Sequence, residues 1–317
     1  MNISKDEIPG IHYNARGKLM ITGEYLALKG ARCLAWPTHA LHHLEVHTLA
    51  GQPGTLIWNA SDKDGKPWFD ALFSTSERVE TISSSDFSAA DYLGKMLNAA
   101  IALKGKNILE HASFHVETKI EWPMEWGMGS SSSLLVNIAS WFGVNPFTLQ
   151  QKTIGGSGYD IACGLSDEVI VFQNAGKLLA NKVHRPEILV QYAGFAYLGK
   201  KADTASAITD FSSRTEGMDL TAKIHLIDRL TYHILDAKTV HHAIKAIEIH
   251  EEVIGSLLDV EPIKLRLYKD FDGAVKSLGA WGGDFIMFVG SKPLEEFRVS
   301  TEEKYGIKLY SAAELLV

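Results

Sequence analysis

The sharpest chemical signal in the chain is a segment rich in glycine and serine, Pro123-Met124-Glu125-Trp126-Gly127-Met128-Gly129-Ser130-Ser131-Ser132-Ser133, which runs into the apolar stretch Leu134 to Trp141. Glycines let a ligand approach the backbone, and serine hydroxyls donate hydrogen bonds or ligate a cation. A helix that follows turns unpaired N–H groups and the positive end of its dipole toward an anion. The segment therefore reads as a phosphate cradle, or more plainly as a loop whose serines cap a helix. No Gly-Lys-Ser/Thr closes it, so it is not a Walker loop.

Four further segments carry candidate chemistry. Lys18 and Glu24 bracket a short apolar run between Gly17 and Gly23. A lysine so placed can neutralise a transferring phosphoryl group, and the glutamate can orient the substrate or a metal; charges at strand ends are the plainer reading. In Ile154-Gly155-Gly156-Ser157-Gly158-Tyr159-Asp160-Ile161-Ala162, a glycine-rich turn delivers a carboxylate into an apolar segment. An acid there needs a partner or a function, unless it only caps a helix. Gly199-Lys200-Lys201-Ala202-Asp203-Thr204 is a basic loop suited to an anionic substrate, and Ser277-Leu278-Gly279-Ala280-Trp281-Gly282-Gly283-Asp284 is a glycine turn leading into a buried strand. His39, His42, His43 and His47 invite a metal reading. His42 to Leu49 fits a strand, however, which scatters these side chains over both faces, and no Cys or carboxylate is seen to complete a ligand set, so no metal site is expected there.

The elements that must position these residues are legible as patterns. Leu44, Val46 and Thr48 alternate with polar neighbours, as do Phe114, Val116 and Thr118, and Thr55 to Trp58 is short and β-rich. Leu93, Met96, Leu97, Ala100 and Ile101 recur at helical spacing up to a stop at Gly105. Beyond about Asp203 the pattern turns helical, with Leu220 to Leu235, Val240 to Leu258 and a third helix after Pro262. Phe285 to Val289 then reads as a buried strand, and Lys308 to Tyr310 as a last one. The expected architecture is α+β in two lobes, divided near residue 185 into 1–185 and 186–317.

Composition bounds the function. The 317 residues carry 31 Lys plus Arg against 38 Asp plus Glu, a net charge of −7, and 46% are hydrophobic, which excludes disorder. A mildly acidic chain without a Lys/Arg stripe argues against nucleic acid. No apolar run approaches the roughly 20 residues of a membrane span. Two cysteines cannot build a disulfide framework, and no leader pattern precedes Ile11, so the expected location is the cytoplasm.

Taken in order, the five segments resemble the GHMP kinase superfamily, and within it the mevalonate kinase and phosphomevalonate kinase branches. Gly17-Lys18-Leu19 to Gly23-Glu24-Tyr25 is similar to their amino-terminal motif, and Pro123 to Ser132 to the P-x-x-x-G-L-G-S-S-A phosphate loop. Gly156 to Asp160 is similar to the G-S-G-x-D turn, and Gly279 to Asp284 to the third, glycine-rich motif. The resemblance implies a two-lobed fold, with an N-terminal mixed α/β lobe of ribosomal protein S5 domain 2 type, a helix-rich C-terminal α+β lobe and the active site between them. It implies ATP and Mg2+ as cofactors. Asp160 and Lys18 would be catalytic, and Gly127, Gly129, Ser130, Ser131 and Ser132 would bind the nucleotide, with Ser131 reaching the metal. Glu24, Ser157, Lys200, Thr204, Gly282 and Gly283 would contact the acceptor, mevalonate or phosphomevalonate. The assembly is left open to a homodimer.

The sequence also departs from the family pattern. Met128 replaces Leu, Ser132 replaces Ala, and Trp281 stands where Gly is usual. Mevalonate kinases carry a magnesium-binding Glu about a helix length before the catalytic Asp, whereas here Leu149, Gln150 and Gln151 occupy those positions. A sugar or homoserine kinase, or a non-catalytic ligand-binding homologue, is the alternative reading.

Overall fold

A computed structural model describes residues 10–199, 204–281 and 283–317. The chain forms two compact units that interleave in sequence. The first takes residues up to Gly17, Ala40–Met124 and Gly129–Leu165; the second takes Lys18–His39, Glu125–Met128 and Ser166–Val317.

The segments up to Leu165 supply β1 (Ile11–Met20), β2 (Cys33–Leu49), β3 (Thr55–Ser61), β4 (Pro67–Ser74), β5 (Glu80–Ser84) and β6 (Ser113–Ile120), with helices α1 (Phe87–Lys104), α2 (Ser130–Phe142), α3 (Pro146–Lys152) and α4 (Tyr159–Gly164). In the first unit the pairing order is β5-β4-β3-β6-β2. All these pairs are antiparallel except β3 with β6, whose parallel pairing becomes available because α1 lies in the crossover. Strand alternation sends Leu44 and Val46 of β2, Trp58 of β3 and Val116 of β6 into a core shared with Leu93, Met96 and Leu97 of α1 and Leu135 and Ile138 of α2. Helix α1 stops where the sequence marks it: Gly105 takes a left-handed φ of 74° and its N–H bonds back to Ile101 O. Asp86 caps its start by accepting from Ser88 and Ala89 N–H.

The second unit continues with β7 (Ile170–Asn174), β8 (Leu178–Lys182), α5 (Glu187–Tyr192), β9 (Ala193–Tyr197), α6 (Thr204–Arg214), α7 (Thr221–Leu235), α8 (Val240–Leu258), α9 (Ile263–Leu267), β10 (Gly273–Ser277), β11 (Phe285–Gly290), α10 (Leu294–Tyr305), β12 (Tyr310–Ser311) and α11 (Ala312–Leu315). Residues 33–35 of β2 pair with β7, and β7 with β8. A separate antiparallel sheet runs β10-β11-β9-β12. Its central strand β11 is buried along its whole length, in keeping with the uninterrupted apolar run Phe285 to Val289. No helix among the described residues is long and apolar enough to cross a membrane.

Candidate functional site

In the first unit the candidate site is built on the start of α2. Gly129, at φ 92°, turns the chain into the helix, and no side chain caps it. The serines do not act alike. The Ser132 hydroxyl donates to Gly129 O at 3.0 Å and the Ser133 hydroxyl to Ser130 O at 3.1 Å, and both are buried. Ser131 is exposed and Ser130 half-buried. With the Ser132 and Ser133 hydroxyls turned onto carbonyls and no side chain capping the turn, the start of this 13-residue helix leaves amide groups to an outside acceptor, the arrangement an anion requires.

A histidine props this turn from below. His42 Nδ1 lies 2.8 Å from the Ser133 hydroxyl, and its backbone carbonyl accepts from Asn137 Nδ2 at 2.7 Å. Burial pushes the His42 pKa down to about 4, with neighbouring His43 adding to the effect, so the ring is neutral at physiological pH. His42 is thus a support of the loop. The sequence could show only its strand position.

Asp160 sits in the first turn of α4, reached through left-handed Gly155, Gly156 and Gly158. Its Oδ1 accepts from Gln150 Nε2 at 2.9 Å and from Ile161 N–H at 3.1 Å. Gln150 is 1% exposed, and its other polar atom, Oε1, is buried without a partner. Ser157 is buried beside this turn and its hydroxyl accepts from Tyr159 N–H. Tyr92 of α1 completes the group. Its pKa is raised by burial and, to a lesser degree, by the nearby Asp160 charge, against the opposing influence of the Ser131 hydroxyl. Tyr92 therefore lies near both the phosphate-loop serine and the carboxylate. No sequence signal pointed to it, because an exposed aromatic on a helix has no distinctive spacing.

In the second unit, Lys18 of β1 extends its Nζ to Gly127 O at 3.0 Å, and its N–H donates to Met128 O at 2.9 Å. Gly127 is at φ 65°, and a Cβ there would lie 2.9 Å from Asp284 Cγ, so only glycine fits. Trp126 anchors the same stretch edge-on against Phe285 and Tyr310, with ring centroids 5.2 and 5.3 Å away. Gly283 lies in the third glycine motif at φ 127°, and Trp281 keeps a left-handed φ of 59° where glycine would be at ease. Lys200 and Gly282 lie outside the described residues, and Thr204 opens α6.

Glu24 is enclosed rather than open to a ligand. Its carboxylate pairs with Lys276 of β10, and both side chains are fully buried. Glu251 of α8 lies 3.9 Å from the same ammonium and accepts from Ser277 N–H at 3.0 Å. Burial raises the pKa of both acids against the opposing pull of Lys276, Glu251 to about 8. His250 Nε2 accepts from Gly23 N–H at 3.0 Å, and the Tyr25 hydroxyl donates to Ala280 O at 2.7 Å. The cluster ties the Gly23-Glu24-Tyr25 turn to the third glycine motif within one unit.

No protein-family model matches the chain, and no curated protein matches it in sequence. Solved structures do match. Streptococcus pneumoniae phosphomevalonate kinase in complex with phosphomevalonate and AMPPNP is similar at a TM-score of 0.68 and 15% identity, over 94% of this chain and 98% of that one. The Methanococcus jannaschii mevalonate kinase is similar at 0.65 and 15%, over 95% and 97%. Lactococcus lactis galactokinase complexed with galactose is similar at 0.67 and 14%, over 97% and 94%. The chain has the fold of the GHMP kinases, a mixed α+β architecture, as the five segments imply.

Proposed function

We propose that the protein is an ATP-dependent kinase that transfers the γ-phosphoryl group to a small hydroxyl acceptor, mevalonate or phosphomevalonate. The observation that carries this reading is the juxtaposition in the first unit of an uncapped α2 N-terminus, exposed Ser131 and a half-buried Asp160 held by Gln150. These groups answer the two needs of phosphoryl transfer, a fixed cradle for phosphate charge and an oriented carboxylate for the nucleophile.

In the proposed reaction the acceptor hydroxyl oxygen forms a bond to the γ-phosphorus while the bond to the β-bridging oxygen breaks, and ADP leaves. Asp160 orients that hydroxyl and takes its proton through Oδ2, because Oδ1 already accepts from Gln150 and Ile161. Amide groups of residues 129–132 hold the nucleotide phosphates, and Ser157, buried beside the Asp160 turn, contacts the acceptor. The Ser131 hydroxyl and the Asp160 carboxylate both offer oxygen, which suits a hard cation. Magnesium, when bound, would neutralise phosphate charge, with Ser131 and Asp160 the residues that would hold it.

The test is nucleotide binding. ATP with magnesium should raise the melting temperature, and Gly129→Val, which forbids the left-handed turn into α2, should remove most of that rise. An equal rise in both proteins would exclude the α2 start as the nucleotide site.

A further inference from the structure

The outer face of the first unit's sheet carries a second cluster of chemically capable side chains. Because β2 alternates, Leu44 and Val46 enter the core while Glu45 and His47 face the other way. The antiparallel register with β6 sets Glu45 directly opposite Glu117 and His47 directly opposite His115. Two carboxylates facing each other across a ladder repel, so the pairing costs stability unless a positive group bridges them.

The geometry brings the ligand atoms together. His47 Nε2 lies 3.1 Å from Glu45 Oε1 and 3.9 Å from Glu117 Oε2, and the ligand atoms of all three residues fall within 4.8 Å of one another. Metal–ligand bonds of about 2.0–2.1 Å at tetrahedral angles separate ligand atoms by roughly 3.3 Å, so small side-chain rotations would close the set around an ion. A fourth ligand is at hand on the neighbouring strand, since His12 Nε2 of β1 lies 3.3 Å from Glu45 Oε1. The chain also covers the spot closely: a Cβ at Gly10 would lie 2.7 Å from both Glu45 Oε1 and His47 Cε1. The carboxylates missing from the sequence reading of the histidines are therefore Glu45, between two of them, and Glu117, which pairing alone brings near.

We propose that Glu45, His47 and Glu117, with His12 completing the shell, bind a divalent transition metal of the zinc class. The mixture of imidazole and carboxylate favours Zn2+, Co2+ or Ni2+ over Mg2+ or Ca2+, which prefer oxygen alone. By joining β1, β2 and β6 the ion stabilises this edge of the first unit, a role separate from nucleotide chemistry.

The full-length protein, stripped with chelator, would be titrated with Zn2+ in excess magnesium by calorimetry, and with Co2+ by visible absorption. Saturable binding of one equivalent is expected, with the intense visible bands of tetrahedral Co2+ and a Zn2+-dependent rise in melting temperature. Glu117→Gln, isosteric and exposed, and His47→Ala should each weaken binding by at least about tenfold. His43→Ala, which breaks the separate His43–Glu121 pair, should leave it unchanged. Absence of saturable binding, or binding undiminished in Glu117→Gln, overturns the proposal whatever the kinase assays return.

Discussion

Replacing Gln150 by Leu separates stability from chemistry in a way the geometry makes specific. The side chain makes one good hydrogen bond, Nε2 to Asp160 Oδ1 at 2.9 Å, and buries a second polar atom with no partner. A hydrogen bond to a charged group is worth about 1.5–3 kcal/mol, and an unsatisfied buried polar atom costs about 1–3 kcal/mol. Leucine removes both and keeps most of the volume, so the unfolding free energy should change by less than about 1 kcal/mol. Asp160, however, loses one of the two donors to its Oδ1 and keeps only the Ile161 N–H. If its alignment depends on that bond, turnover falls by about 10- to 100-fold, at roughly 1.4 kcal/mol per tenfold. The loss should appear in kcat with little change in the KM for ATP. Gln150→Glu instead sets a second carboxylate beside Asp160 and should lose activity at low magnesium and recover part of it at high magnesium. The assays are steady-state ADP release and urea unfolding on the same preparations. Turnover within about threefold of wild type, or a stability loss above about 2 kcal/mol, would refute the positioning role.

Asp160→Asn should abolish turnover while the ATP-induced thermal shift persists, and activity surviving within about tenfold, under ~1.4 kcal/mol of barrier, would remove Asp160 from its role. Ser131→Ala should raise the magnesium concentration needed for half-maximal rate; an unchanged requirement counts against Ser131 as a metal ligand. Glu251, with its pKa raised to about 8, stays protonated in the folded state while the unfolded chain releases its proton near pH 4.5. Stability should therefore fall as pH rises from about 4.5 to 8, and Glu251→Gln should flatten that slope in melting curves, whereas parallel curves would contradict it. Lys276→Met leaves Glu24 buried without its cation and should cost about 3–5 kcal/mol. Adding Glu24→Gln should restore much of it, and purely additive losses would argue against a coupled pair.

What the sequence shows well is local. Helix α8 occupies Val240–Leu258, the span its apolar spacing marks, α1 ends at Gly105, and β11 follows the apolar run from Phe285. Strand β5 escapes the pattern because Glu80, Ile82 and Ser83 are exposed and Thr81 and Ser84 only half-buried, leaving no apolar face. The candidate site divides in the same way. Gly129, the serines and Asp160 stand out because a glycine turn followed by an apolar helix is a contiguous signal. The partners that give them their properties come from elsewhere: His42 meets Ser133 across 91 residues, and Lys276 meets Glu24 across 252. Residue types alone also do not say that Ser132 and Ser133 turn inward while Ser131 faces solvent, since that depends on which side of α2 packs on the core.

The central claim is phosphoryl transfer to a small acceptor, and an acceptor panel addresses it directly. Purified protein with ATP and magnesium would be offered mevalonate, phosphomevalonate, galactose and homoserine, with ADP release and the phosphorylated product both measured. The expected result is turnover with mevalonate or phosphomevalonate that disappears in Asp160→Asn. Turnover with none of the four, together with no ATP-induced rise in melting temperature, would contradict the account.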